Sequence, residues 1–136
     1  MDRYKYAIFE ALCDLAKKHD ISIYKLLLKP DTPDVASPAD NSVIMNPNFE
    51  TQVTYNYRLA HELSHILYGD HEAQAVYQFS EYGKRGEELL AHRNAIRMLM
   101  SIEMPSNPFT FVSYYRVPAW LENDVMRIYN EFKVVE

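Results

Sequence analysis

The stretch HELSHILYGDH, residues 61–71, carries three of the five histidines in a chain of 136 residues. His61 and His65 stand four apart, so on a helix both imidazoles leave the same face, one turn from each other. Two such rings can converge on one ion, with ring nitrogens about 2 Å from zinc. Glu62 directly follows the first histidine, and its carboxylate can reach a water on the ion without occupying the ion itself. This H-E-x-x-H pattern belongs to metal-assisted peptide hydrolysis, with the glutamate as general base. The bland alternative is two surface histidines on a solvated helix face.

A catalytic zinc site needs a third protein ligand and an open position. Two residues compete for that place. His71 lies ten beyond His61, the offset of the metzincin pattern H-E-x-x-H-x-x-G-x-x-H. The glycine of that pattern is Tyr68 here, and Gly69 comes one residue late. Glu88 stands in EELLAHRNA, where small Ala91 falls on the carboxylate's face one turn on, so that two helices can pack closely around an ion. The spacing favours Glu88, which makes the set gluzincin-like: His61, His65 and Glu88 as ligands, Glu62 as base, Zn²⁺ as cofactor. Glu87 is a rival ligand that lacks an alanine at the right offset. His92, four after Glu88, is placed either to hydrogen-bond a ligating histidine from behind or on the surface. Tyr68 and His71 are the nearest candidates in sequence for an oxyanion donor.

These residues need elements to carry them. Residues 3–18 place Tyr4, Ile8, Leu12 and Leu15 at steps of three and four, which predicts an amphipathic helix ending near KKHD. His19, at that helix end, reads as a surface residue. ISIYKLLL, residues 21–28, predicts a strand stopped by Pro30. Residues 29–41 hold three prolines and predict an exposed loop. NSVIMNP predicts a second strand closed by Pro47. Helical spacing from about Phe49 to Tyr68 carries the histidines, and Gly69 supplies the stop. EELLAHRNAIRMLMSIEM predicts a helix ending at Pro105, with Met98, Met100 and Met104 in the core. SNPFTFVSYYRV predicts a short helix, and PAWLENDVMRIYNEF a last one. The aromatic residues Phe109, Phe111, Tyr114, Tyr115 and Trp120 read mainly as core. The class is α+β, a small N-terminal sheet followed by helices, with residues 1–136 read as a single domain. Segments 29–41 and 72–86 lack a clear period and are the expected mobile flanks of the site.

Composition narrows the partners. A formal net charge of −5 argues against DNA or RNA, since phosphate binding needs clustered Lys and Arg. No apolar run is long enough to cross a bilayer. The first twenty residues mix charges into apolar positions, unlike a signal peptide. The single Cys13 cannot form an internal disulfide and reads as core packing on the first helix, which fits a reducing cytoplasm.

AHELSHILYGD, a short variable segment, and EELLAHRNAIRMLM ahead of a proline together resemble the ImmA/IrrE metallopeptidases. These are cytoplasmic zinc proteins of bacteria, phages and integrative elements, generally encoded beside a repressor whose cleavage they bring about. The resemblance spans approximately residues 20–105, including the strand before the helix and its Asn-Pro exit. It implies a zincin-like fold, zinc on His61, His65 and Glu88, and Glu62 as general base. Two positions depart from the pattern: His92 stands where the family more often has Asn or Asp, and Ala95-Ile96 replaces Phe-Ala. The C-terminal FTFVSYYRVPAWLENDVMRIYNEF is similar to the tail of short phage-type members. The implied partner is a helix-turn-helix repressor, cut at one site, which gives the chain an anti-repressor role. A different function class shares the signature: a protein that binds the repressor without cutting it and uses the zinc structurally. The two separate on whether Glu62 is needed. A secreted metzincin is disfavoured by the misplaced glycine.

Overall fold

The computed structural model describes residues 3–69, 76–82 and 84–134. The first helix, α1 (Arg3–Lys18), buries Ile8, Leu12 and Ala16 and ends on Lys17 and Lys18, where the helix dipole favours cations. Tyr4 is exposed and Cys13 only half-buried, so both lie on the flank of the apolar stripe rather than in it.

Four short strands follow the order β1-β3-β2-β4: β1 (Ser22–Lys25), β2 (Val35–Ser37), β3 (Ser42–Met45) and β4 (Tyr77–Gln78). β1 runs parallel to β3, while β2 is antiparallel to both β3 and β4. Val43 and Met45 are buried whereas Ser42 and Ile44 are half-buried, the alternation of a sheet covered on one face.

Two strand expectations need correction. The strand predicted over residues 21–28 is regular only over Ser22–Lys25, although its edge continues through Leu26 N–H to Met45 O and Leu28 N–H to Asn46 Oδ1, each 3.0 Å. The exposed loop predicted over 29–41 contains β2 and a 3₁₀ turn, Pro38–Asp40. Pro33 and Pro38 bracket β2 without interrupting its ladder, and Ala36 at its centre is fully buried. β4 was not expected at all.

The helix that carries the histidines, α2 (Tyr55–Tyr68), starts later than the apolar spacing from Phe49 suggested. Thr54 is its N-cap, with the side chain accepting from Tyr57 N–H. Phe49 belongs to a turn closed by its own N–H on Asn46 O, so apolar burial continues upstream of the helix without helical backbone. A further helix, α3 (Gly86–Ile102), opens on Gly86 at φ 54°, a left-handed conformation suited to glycine. Then come α4 (Pro108–Tyr115), capped by Asn107, a 3₁₀ turn Ala119–Leu121, and α5 (Glu122–Val134). The core joins Leu12 of α1, Leu59 and Leu63 of α2, Ile96 and Leu99 of α3, Phe111 of α4 and Ile128 of α5. No helix among the described residues is long and apolar enough to cross a membrane.

Candidate metal centre

α2 is buried on every side from Asn56 to Ile66. A helix in that position should be apolar all round, so each polar side chain on it needs a partner or a purpose. Asn56 donates to Lys5 O at 3.1 Å, and Ser64 to Ala60 O at 2.8 Å. Arg58 pairs with Asp34 at 2.6 Å and donates to Val53 O and Asn46 O, both 3.1 Å. Glu62 is the exception: it is fully buried and neither carboxylate oxygen has a hydrogen-bond partner among the described residues.

The two histidines meet α3. Both rings are fully buried, while the side chain of Glu88 is 23% exposed. His61 Nε2 lies 3.0 Å from Glu88 Oε2. His65 Nε2 lies 3.0 Å from Glu88 Oε1, an approach off the hydrogen-bonding direction that leaves this nitrogen without a hydrogen-bond partner. His61 Nδ1 is likewise buried without one. The first turn of α3 carries both Glu87 and Glu88, at the positive end of the helix dipole.

Burial sets the charges. It pushes the Glu62 carboxyl well above the usual range, helped by the negative charges of Asp34 and Glu88 and opposed by Arg58. It pushes His61 down, so the imidazole is neutral, against the opposing pull of Glu88. For Glu88 burial alone would raise the carboxyl, but the hydrogen bond from His61 and the facing imidazole of His65 outweigh it and hold the group at about 2. Neutral imidazole beside ionised carboxylate is the protonation state that a metal ion requires of its ligands.

His92 has a different place from the one its spacing suggested. Its Nε2–H donates to Ser80 O at 2.8 Å, and Tyr57 O–H donates to its Nδ1 at 2.9 Å. The carbonyl can only accept, which fixes that tautomer. Burial, and then the neighbouring His61, lowers His92 to about 3, in keeping with a neutral ring. Both nitrogens are used, so His92 supports His61 only through ring packing, with centroids 4.2 Å apart. Glu87, the rival ligand, instead takes the far nitrogen of His65, with Oε2 3.2 Å from Nδ1.

β4 supplies a wall that the sequence reading missed. Tyr77 stacks on His65 at 4.2 Å with 5° between the planes, and Phe79 meets His61 edge-on at 5.0 Å. The signal was present as a period of two, Tyr77 and Phe79, within a segment read as structureless. Residues 79–81 are pinned by Phe79 N–H to Asp34 O at 2.9 Å, His92 to Ser80 O, and Trp120 Nε1–H to Glu81 O at 2.7 Å. Tyr68, at the end of α2, is 57% exposed and makes no hydrogen bond to the cluster. His71 lies outside the described residues, as do 72–75 and 83 of the expected flank.

The donor set fits a metal ion. One ligand atom from each of His61, His65 and Glu88 lies within 4.8 Å of the others, the one such group among the described residues. The 3.0 Å separations of nitrogen and oxygen are close to the ~3.3 Å between ligands on a tetrahedral ion with 2 Å bonds. No family model matches the chain, and neither a curated protein nor a solved structure matches it.

Proposed function

We propose that this chain is a zinc-dependent endopeptidase with a zincin-like site, in which His61, His65 and Glu88 hold Zn²⁺ and Glu62 is the general base. Two imidazoles and one glutamate form a ligand set that catalytic zinc sites use. When bound, the ion supplies Lewis acidity toward a carbonyl and lowers the pKa of water toward 7. Glu62 accepts the proton of the attacking water and returns it to the leaving amine. Tyr77 and Phe79 cover the imidazoles and lower the local dielectric, which strengthens every charge interaction within the site. The resemblance to ImmA/IrrE proteins supplies the substrate class, a helix-turn-helix repressor of a phage or mobile element met in the cytoplasm.

One observation carries the catalytic reading over a purely structural metal: the buried, unpartnered carboxylate of Glu62 beside the ligands. A structural site has no use for it, and its burial costs stability. The test incubates purified protein with the product of the adjacent repressor gene and measures fragments, repressor binding and zinc content together. Wild type is expected to yield fragments with one zinc per chain. Glu62→Gln is expected to keep the zinc and repressor binding while cleavage falls by ~10²–10⁴. If both proteins relieve repression equally and neither yields a fragment, the chain is a non-cleaving anti-repressor with a structural zinc.

A further inference from the structure

Two adjacent glutamates open α3, and the metal reading uses only one of them. Glu88 faces the Nε2 atoms of His61 and His65, both at 3.0 Å. Glu87 reaches the opposite side of one ring, its Oε2 3.2 Å from His65 Nδ1. His61 has no counterpart among the described residues, where its Nδ1 is buried without a hydrogen-bond partner. The two histidines are therefore held differently.

We propose that Glu87 is a positioning residue that fixes the tautomer and plane of His65. The inference rests on the metal reading above. A carboxylate oxygen accepts, so the proton of His65 sits on Nδ1 and the lone pair on Nε2, the nitrogen that faces Glu88. An imidazole backed by a carboxylate in this way is a better and more sharply oriented donor to a metal. Tyr77 fixes the same ring from its face, stacked 5° from parallel. Gly69 leaves room for the arrangement: a Cβ there would overlap the His65 carbonyl oxygen and come 3.2 Å from Glu87 Oε2.

Zinc affinity by chelator competition, the visible spectrum of the Co²⁺-loaded protein, and the His65 Nδ1–H proton resonance of the zinc-loaded protein test this together. Glu87→Ala is expected to bind zinc about 10–100-fold more weakly, to keep the Co²⁺ ligand count, and to lose the slowly exchanging Nδ1–H signal. Glu87→Gln keeps an acceptor oxygen and should retain the signal and most of the affinity. Glu87→Asp, one methylene shorter, should behave like Ala. Should the Ala variant fail to fold, the Gln and Asp pair decides, because only reach and acceptor chemistry separate them. Equal affinity and equal resonances in all variants would overturn the proposal. So would a Glu87→Ala protein that loses metal as completely as Glu88→Ala, which would make Glu87 a ligand. Wild-type protein that takes up neither ion would overturn the metal reading itself, and this inference with it.

Discussion

A carboxylate sealed into the middle of a helix needs a reason to be there. Glu62 lies one turn after Arg58, yet Arg58 is already committed to Asp34, Val53 and Asn46, which leaves Glu62 with no hydrogen-bond partner among the described residues. Replacing it with Gln keeps the shape and removes a carboxyl whose ionised form burial disfavours. Glu62→Gln should therefore unfold at higher denaturant than wild type, by on the order of 1 kcal/mol in metal-free protein. Equilibrium urea unfolding checks this, and a clear loss of stability would mean that Glu62 has a structural partner. At this scale the sequence was readable where chemistry repeats at helical spacing. The H-E-x-x-H spacing puts His61 and His65 on one face, and the small residue one turn beyond Glu88 lets that carboxylate approach them, which is the group the structure brings together. His92 and Glu87 were not readable, because their roles depend on which nitrogen of which ring they meet. For His92 the deciding partner is Tyr57, 35 residues away.

The elements that aim these side chains depend on one buried polar joint. Asp34 precedes β2, its Oδ1 accepting from Asn46 N–H at 2.8 Å and its Oδ2 from Arg58 Nε at 2.6 Å. Arg58 also faces the rings of Phe49 and Tyr55 at 5.7 and 5.6 Å. The joint thus ties β2 and the end of β3 to the first turn of α2, one turn before the site. Removing one partner strands a buried charge, so Asp34→Ala or Arg58→Ala should each cost about 3–5 kcal/mol. The double replacement Asp34→Leu with Arg58→Met should cost less than the sum, since no charge is left behind. Thermal and urea unfolding of the three variants checks the ordering, and additive losses would contradict it. The same joint explains why β2 was read as loop. Its neighbours are prolines and acids, which locally signal a turn, and the arginine that makes Asp34 a core residue comes 24 positions later. The long helices, by contrast, show their apolar stripe within their own windows: α1 begins and ends where its spacing predicts, while α2 begins at Tyr55 rather than near Phe49.

At the scale of the whole molecule the site is a seam between two helices. α2 brings His61 and His65, α3 brings Glu88, and the side is closed by Tyr77 of β4 and by Phe79 just after it. An ion bound there joins segments 27 residues apart in sequence, and the unfolded chain cannot offer the same three atoms together. Binding to the native state alone adds stability of RT ln(1 + [L]/Kd), about 2.7 kcal/mol when free metal is a hundred times Kd. For a domain of this size that corresponds to a rise in Tm of roughly 10 °C. Stripping the metal with a chelator should lower Tm by that amount, and returning zinc should restore it. His61→Ala and Glu88→Ala should melt at one temperature with or without zinc, because the ligand set is broken. On the proposed reading Glu62→Gln should keep the full metal-dependent increment while lacking cleavage, since Glu62 there serves as base and not as ligand. Calorimetry of the four proteins, each with chelator and with zinc, separates the outcomes. An increment that survives in Glu88→Ala would move the third ligand elsewhere in the chain, and an increment lost in Glu62→Gln would make Glu62 a ligand rather than a base.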